Sequence, residues 1–584
     1  MAAPDVATNI ATAKPMNEKS RLEKQREQLR NEYSTWEDTF RQLGRFFRPR
    51  MPKFLQSQPN RGDRRDEFIV NNWGGFAVRT LSSGMMAGIT SPSRPWFKLA
   101  VADHATMEEK VVKIWLAEVE RRMRDVFLKS NLYQQLPKLY ISLGVFGTGA
   151  MLEEEDDDDV VRFNTMPIGS YYIGTDDRNI VGIYARDFQM TIRQIVEKFI
   201  IIRDGEGNII GFDWDRASND VKENWDNDNK DQWRDVVHQI EANPKHSPNT
   251  IGSKFKKYRS VYYEKNGATN NDKFLREAGY DEFPLMCPRW VTDGDDFYGT
   301  APGWDALGDT ISLQTLERQK SKANELKIRP PLVGDPSLRG RKKSMIPGGM
   351  NYAKFNGNNP SMRPLFDVNW DTNGTERDIV MHQERISRAF YEDLFLMLAQ
   401  SDRRQITATE IAERQQEKLL ALGPVLETLN DELLDPIIDR TFNIMLKRDL
   451  LPPPPPQIAG ADLKIEYISI MAQAQKQVGL IAIERLAGFA GNIAAVKPDV
   501  VDVVEWDESI RAYAEMLGVP PELVNAAVEV QNVREGRAQL QAQMQESEEA
   551  NMTADTLKKL SETDTRGSNA VTDMVAAAQD QGPL

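Results

Sequence analysis

Apolar residues between positions 411 and 437 recur at steps of three, four or eight, which places them on one face of a helix. Thr407 and Glu410 stand at the spacing of a capping box, so the helix is predicted to begin there. The five prolines at 452–456 cannot continue a helix and predict its end near residue 450. The apolar positions are Ile411, Leu419, Leu422, Leu426, Leu429, Leu433 and Ile437.

This predicted helix is unusually long. About 43 residues at about 1.5 Å each give an element roughly 65 Å in length, well beyond the average helix of a globular protein. Pro424 and Pro436 lie inside it, so the helix is expected to be kinked. An element of this length is typical of a protein that spans an assembly.

The first 150 residues also show helical periodicity. Ser20 and Glu23 have capping-box spacing and predict a helix over 20–47, with Leu22, Leu29, Trp36, Phe40 and Phe47 on one face. Residues 71–101 begin with many small side chains, which would let another backbone approach closely, and end in a predicted strand over 96–101. Two further helices are predicted over 106–144.

The pattern changes to alternating runs between about 147 and 300. Strands are predicted there, with a short helix near 192–199 between them, so the region is expected to be α+β. Residues 203–250 are polar and are predicted to form long surface loops. The predicted strands cover 150–154, 160–164, 180–190, 258–264 and 285–291.

Two helices, over 304–328 and 375–398, flank a segment rich in glycine and proline, and the three together predict a helical hairpin with an irregular tip. The second helix would carry a wide apolar face: Phe390, Leu394, Phe395, Met397 and Leu398. A face of that width would suit packing against neighbours on both sides. Residues 463–470 are predicted to form a strand, and the chain is expected to be helical from there to about 560.

Composition narrows the function classes. The chain has 584 residues, 88 acidic against 74 basic side chains, and a net charge of −14, which argues against a broad DNA-gripping surface but suits DNA that must slide. The single cysteine, Cys287, excludes an internal disulfide and a multi-thiolate metal site. No apolar run has membrane-spanning length, so no membrane is expected as a partner. The sequence contains neither a phosphate-binding loop nor a nucleophile elbow, so no catalytic residue is predicted.

Three motifs invite a metal or binding interpretation. The acidic run at 153–159 is interpreted as a solvated turn between two strands, because seven adjacent acids cannot all face one ion. The run at 226–231 lacks the glycine of a calcium loop. No metal or cofactor is predicted. The histidines, interpreted as ordinary surface or interface residues without metal-ligand spacing, are His104, His238, His246 and His382.

Four segments, taken in order, resemble the portal protein, or head-to-tail connector, of short-tailed bacteriophages. They are NNWGGFAVRTLSSGMMAGITSPSRPWF from residue 71, FGTGAMLEEE at 146–155, YGTAPGWDALGD at 298–309, and TATEIAERQQEKLLALGPVLETLNDELLDPIIDR followed by LPPPPP. The resemblance covers roughly 20–510. It implies a ring of about twelve copies around a DNA channel, with a mostly α-helical α+β portal fold.

The resemblance also implies a division of the chain. It gives a disordered leader (1–19), an α+β wing (20–303), a first stem helix (304–329), an irregular clip (330–372), a second stem helix (373–398), a tunnel loop (399–406), the long kinked helix with the rest of the wing (407–510), a helical crown (511–560) and a flexible tail (561–584).

Two groups of residues are candidates for function under this resemblance. The tunnel loop would touch double-stranded DNA, and the basic tip of the clip would dock a partner, although a helix connection and a solvated loop remain alternatives. The expected partners are the terminase, the tail adaptor, scaffolding and major capsid proteins at a virion vertex. A metal-dependent DNA-processing enzyme and a helical scaffolding or internal virion protein stay open as other functions. The candidate residues are Ser401, Asp402, Arg403, Arg404 and Gln405 in the loop, and Arg339, Arg341, Lys342 and Lys343 in the clip.

Overall fold

The computed structural model describes 17–55, 62–101, 103–107, 109–205, 207–248, 250, 252–265, 274–330, 332–334, 362–364, 370–395, 423–458, 463–467, 483–493, 502–517, 519, 523–525, 527–562 and 573. The chain divides into two compact units. Unit 1 comprises Met1–Leu99, Glu118–Pro453 and Ile465–Gln475, and unit 2 comprises Ala100–Ala117, Pro454–Lys464 and Lys476–Leu584.

Helices and strands are both abundant, as the α+β prediction requires. The helices are α1 (Glu18–Phe47), α2 (Trp73–Gly88), α3 (His104–Met107), α4 (Lys110–Lys129), α5 (Leu132–Phe146), α6 (Ile192–Ile195), α7 (Asn219–Asp226), α8 (Pro302–Asp305), α9 (Leu307–Ile328), α10 (Thr372–Ala389), α11 (Gly423–Leu429), α12 (Asp435–Lys447), α13 (483–493), α14 (Trp506–Leu517) and α15 (Ala527–Glu562). The strands are β1 (Phe97–Val101), β2 (Ala150–Asp156), β3 (Val160–Met166), β4 (Tyr171–Thr175), β5 (Val181–Thr191), β6 (Ile201–Arg203), β7 (Ile209–Phe212), β8 (Trp233–Ala242), β9 (Tyr258–Glu264), β10 (Arg276–Tyr280), β11 (Leu285–Met286), β12 (Leu332–Gly334), β13 (Met362–Pro364) and β14 (Leu463–Tyr467).

Helix α1 forms the centre of unit 1. Its predicted apolar face is confirmed, since Leu22, Leu29, Phe40 and Phe47 are buried. The predicted capping box at Ser20 is wrong, because the helix begins two residues earlier and the side chain of Asn17 accepts a hydrogen bond from Lys19 N. Phe40 packs at ring-centroid distances of 6.0 Å from Phe146 and 5.9 Å from Tyr298.

A five-stranded antiparallel sheet, in the order β10-β9-β8-β5-β4, packs beside α1. Its central strand β8 lies inside the segment predicted to be surface loops, so that prediction is wrong. Six consecutive residues of β8, 236–241, are buried, and three of them are polar. Gln239 donates to Gln25 on α1 (2.8 Å) and Glu241 pairs with Arg21 on the same helix. The helix therefore supplies partners that make polar strand positions suitable for burial.

A smaller sheet, in the order β11-β2-β3, contains the hairpin whose turn, 157–159, is the end of the acidic run. At the start of β2 two glycines approach each other. Gly147 has a positive φ of 80°, and a Cβ there would lie 2.0 Å from the carbonyl oxygen of Gly299. Gly299 N in turn donates to Thr148 Oγ1 at 2.9 Å. Two of the sequence segments that carry the portal resemblance thus meet at a contact that only glycine permits.

Unit 2 is mostly helical in its described parts. Arg534 on α15 pairs with Asp507 on α14 at 2.6 Å, and Tyr513 donates to Glu484 on α13 at 2.7 Å. Helix α15 runs for 36 residues, and Val533, Leu540 and Met544 on it are exposed. In the part of the chain that the structure describes, no helix is long and apolar enough to cross a membrane.

Candidate functional site: the helical hairpin and its anchors

Helices α9 and α10 pack against each other, as predicted for a helical hairpin. Their contact buries Leu313 on α9 and Ile379 and Ile386 on α10. Polar pairs join the two helices at both ends: His382 Nδ1 lies 2.7 Å from Asp309 Oδ1, and Lys320 Nζ lies 2.9 Å from Glu376 Oε1. The hairpin is therefore held together by a narrow apolar seam with polar pairs at its edges.

Gln314 anchors α9 to the segment that precedes α2. Its side chain is only 2% exposed. Its Oε1 accepts from the backbone nitrogens of Val70 (2.7 Å) and Asn71 (2.8 Å), and its Nε2 donates to the carbonyl oxygen of Asn71 at 2.8 Å. One amide thus satisfies three backbone groups of an irregular segment. Sequence reasoning missed this residue, although it continues the four-then-three spacing of Leu307 and Ile311.

The second helix of the hairpin ends earlier than predicted. α10 stops at Ala389, Tyr391 has a positive φ of 55°, and only a short helical turn follows at 392–395. Phe390 is buried against Phe47 at a centroid distance of 5.5 Å. Phe395 covers Gly84 on α2 so closely that a Cβ there would lie 2.2 Å from its ring.

These contacts correct the interpretation of the wide apolar face. Phe390, Leu394 and Phe395 are buried inside their own chain, against α1 and α2, and are not available to neighbouring subunits. Met397 and Leu398 lie outside the described residues. The apolar residues that the hairpin does expose are Ile328, Val380 and Met381, with Ile328 78% exposed.

The candidate clip and loop residues lie outside the described residues. Only the roots of the clip are described: β12 and β13 pair antiparallel, with Leu332 opposite Pro364 and Gly334 opposite Met362. Arg339, Arg341, Lys342 and Lys343 belong to the segment between these strands, and their partner-docking role stays a prediction. Ser401, Asp402, Arg403, Arg404 and Gln405 also fall outside, so contact with DNA stays a prediction as well.

The described part of the long helix confirms a helix with an irregularity near Pro436. α11 and α12 are joined by a π-helical turn over Asn430–Leu434, immediately before α12, and the helix ends at Lys447. The predicted start at Thr407 lies outside the described residues. A π-turn holds one residue more than an α-helical turn, and here it lies directly before Pro436, which has no backbone N–H to donate to the helix ladder.

Arg289 ties the π-turn to the smaller sheet. Its guanidinium pairs with the carboxylate of Glu432, its backbone nitrogen donates to Glu432 Oε2 at 2.8 Å, and its Nη1 donates to Asn179 Oδ1 at 2.9 Å. The Arg289 side chain is 3% exposed. The charge of a buried arginine is thus balanced by one carboxylate on the kinked helix.

Glu153 is a second buried anchor and was missed inside the acidic run. The solvated turn is confirmed for Asp157, but Glu153 is fully buried, and its Oε1 accepts from Thr441 Oγ1 on α12 at 2.9 Å. Arg440 Nε lies 4.0 Å from its Oε2. Burial outweighs Arg440 and raises the pKa of Glu153 to about 8.

His238 corrects the interpretation of the histidines. It is buried on β8, stacks on Tyr262 at a centroid distance of 3.9 Å, and shares a hydrogen bond of 2.9 Å with Ser260 Oγ. Burial lowers the pKa of His238 well below its usual range, so the imidazole is neutral. Among the described residues, no group of three histidine, cysteine, aspartate or glutamate side chains is arranged to hold a metal ion.

Comparison with known proteins identifies the family. The chain belongs to the family described as bacteriophage head to tail connecting protein, which matches residues 19–524. The portal protein of Salmonella phage epsilon15 is 43% identical over 562 residues, covering 96% of this chain and 98% of that protein. The probable portal protein of Bordetella phage BPP-1 is 39% identical over 550 residues, covering 94% and 96%.

A solved structure, the neck of an empty GTA particle computed with C6 symmetry, covers 73% of this chain and 87% of its own at 11% identity. Its TM-score is 0.33, which supports no conclusion about the fold. The family and its two curated relatives define a phage portal, or head-to-tail connector, which is a structural class of protein.

Proposed function

We propose that this portal protein forms a closed ring of about twelve copies that conducts double-stranded DNA into and out of a phage head. The observation that carries the proposal is the uneven burial of the hairpin. Over residues 315–328 of α9 only Ala323 is buried, whereas Thr310, Leu313 and Gln314 are all buried nearer the base. The far half of this helix, which is about 33 Å long, thus leaves most of its side chains unburied in the single chain, and its flanks suit identical neighbours in a ring.

Net charge supports a sliding substrate. Each chain contributes −14, so a ring is strongly anionic and repels phosphates over most of its surface. Arg403 and Arg404 in the tunnel loop would then give brief, salt-sensitive contacts to DNA. Their double replacement by alanine should leave ring assembly unchanged and alter packaging efficiency or retention of packaged DNA. Normal packaging and retention would remove the loop from the mechanism.

The clip is proposed to dock the terminase during packaging and the tail adaptor afterwards. Paired strands β12 and β13 bring the two ends of this segment together. Reversing the charges of Arg341, Lys342 and Lys343 should weaken docking while rings still form. The triple variant Lys129→Glu, Arg203→Glu and Lys254→Glu, at exposed positions elsewhere in unit 1, is the control for the same change of net charge.

Assembly itself is tested by the mass of the purified protein and by negative-stain images. A ring with a central channel wide enough for duplex DNA is expected, with scaffolding and major capsid proteins as later partners at a virion vertex. A monodisperse monomer at every concentration would contradict the proposal. A contact between neighbouring hairpins is tested by Val380→Glu, which should reduce ring formation because Val380 is exposed in the single chain.

A further inference from the structure

A cavity of about 970 Å³ lies in unit 1 between the end of α1, the start of α2 and the end of β3. Its charge is opposite to that of the chain as a whole. Asp66 is the one acid that lines it among the described residues, and the base of the cavity is partly apolar, with Ile141 and Met166. Six cationic side chains line it: Arg48, Arg50, Arg64, Arg65, Arg79 and Lys138.

Arg48 and Arg79 have no acidic partner among the described residues. Asp66 forms an ion pair with Arg64, whose Nε lies 2.8 Å from Asp66 Oδ1. Arg48 Nε is buried and has no hydrogen-bond partner among the described residues. Arg79 lies over the ring of Phe76 at 4.5 Å, and its Nε donates to the carbonyl oxygen of Gly75. Burial, and then the charge of Arg79, lower the pKa of Arg48, which is the response of a cation with no anion near it.

The first turn of α2 adds to the positive field. Its N-cap residue Asn72 and its residue Gly75 both line the cavity, and the Asn72 side chain makes no capping hydrogen bond. The helix has 16 residues, so its N-terminus carries a full share of the helix dipole. A helix N-terminus attracts anions, and here it meets an arginine whose buried nitrogen has no partner.

We propose that this cavity binds phosphate groups, carried either by the backbone of nucleic acid or by a free nucleotide. Planar guanidinium groups match phosphate in two-point hydrogen bonding, and arginine supplies five of the six cations. The volume is larger than one phosphate needs and falls within the usual range for ligand sites. The site is independent of the proposed ring, since a channel that conducts DNA does not require it.

The test compares a cavity variant with a matched charge variant. Arg48→Gln with Arg79→Gln removes two charges from the cavity, and Arg193→Gln with Arg203→Gln removes two from an exposed surface elsewhere in unit 1. Fluorescence anisotropy is measured with a labelled short duplex, a labelled single strand and a fluorescent nucleoside triphosphate. The cavity variant should bind at least about tenfold more weakly than the control variant. Its slope of log affinity against log salt should fall by about one to two for duplex DNA.

The probes distinguish the two sources of phosphate. Loss confined to the nucleic acids supports the backbone as the ligand, and equal loss for the triphosphate supports a free nucleotide. Equal affinity of the cavity and control variants for every probe would overturn the proposal. Competition by a polyglutamate peptide but not by inorganic phosphate would overturn it too, because the cavity would then fit an acidic protein segment. Mass measurement of each variant shows separately whether the ring still forms.

Discussion

Replacing Glu432 by alanine should detach the kinked helix from the smaller sheet. The substitution leaves the buried guanidinium of Arg289 with Asn179 as its remaining partner, and it also removes the acceptor for Arg289 N. α11 and α12 would then be held mainly by their apolar faces and by the contacts of Arg440 and Thr441 with Glu153. The expected result is local loosening of residues 423–447 together with a loss of overall stability.

The loss of unfolding free energy in Glu432→Ala follows from the burial of the Arg289–Glu432 pair. Removing one member of a buried ion pair typically costs about 3–5 kcal/mol. Because the Glu432 side chain retains 21% exposure, water can solvate part of the gap, and the lower end, about 3 kcal/mol, is expected. On the same helix, Lys447 pairs with Asp281 at 2.6 Å, but both side chains are about half exposed. Lys447→Ala should therefore cost only about 0–1 kcal/mol.

Hydrogen exchange over residues 423–447 and urea unfolding measure the two effects. Protection should fall roughly a hundredfold in Glu432→Ala and little in Lys447→Ala. The double variant Arg289→Met with Glu432→Leu should regain much of the loss, because no unpaired charge stays buried. Equal protection in Glu432→Ala and Lys447→Ala would refute the assignment of Arg289 and Glu432 as the anchor.

Three further substitutions test other contacts. The folded-state pKa of Glu153 is raised to about 8 from an ordinary value of 4.5. The protonated carboxyl therefore contributes its full stability below about pH 4.5, and this contribution is lost as the pH rises through 8. Glu153→Gln should remove this decline in stability, measured by urea unfolding between those two pH values. Gly84→Ala should cost about 1–3 kcal/mol because the new Cβ meets the Phe395 ring, while Gly88→Ala on the same helix has open space and should be neutral or slightly stabilising in thermal unfolding. Gln314→Leu should cost about 1–3 kcal/mol for each backbone group left unpaired, with increased hydrogen exchange at 70–71, and an unchanged exchange rate there would contradict the anchor.

Helical periodicity predicted those elements whose apolar face packs inside the same unit. Leu22, Leu29 and Phe40 on α1 are buried for that reason, and strand β3 follows the alternation that predicted it. Strand β8 was not predicted, because polar residues such as Gln239 and Glu241 are typical of solvent-exposed positions. Their burial depends on Gln25 and Arg21, more than two hundred residues away in the chain, and no local pattern reports such pairing.

Site residues were harder to predict than elements. Glu153 stands first in a run of seven acids and is the last of four consecutive buried residues of β2, 150–153, so its residue type does not separate this buried carboxyl from the solvated acids that follow. Phe390 and Phe395 looked suited to a neighbouring subunit, but the bend at Tyr391 turns them into their own chain. Family resemblance predicted the portal class correctly, and two of the segments that carry it meet at Gly147 and Gly299.

The π-turn at Asn430–Leu434 has a mechanical consequence. It holds one residue more than an α-helical turn, so its conversion to an α-turn would rotate the preceding helix by about 100° and shift it by about 1.5 Å, while α12 stays in place. A load applied ahead of Gly423 is thus transmitted to α12 partly as torsion. Glu432 lies within this turn. Its ion pair with Arg289 therefore fixes the rotation of α11 about its axis as well as the position of α12.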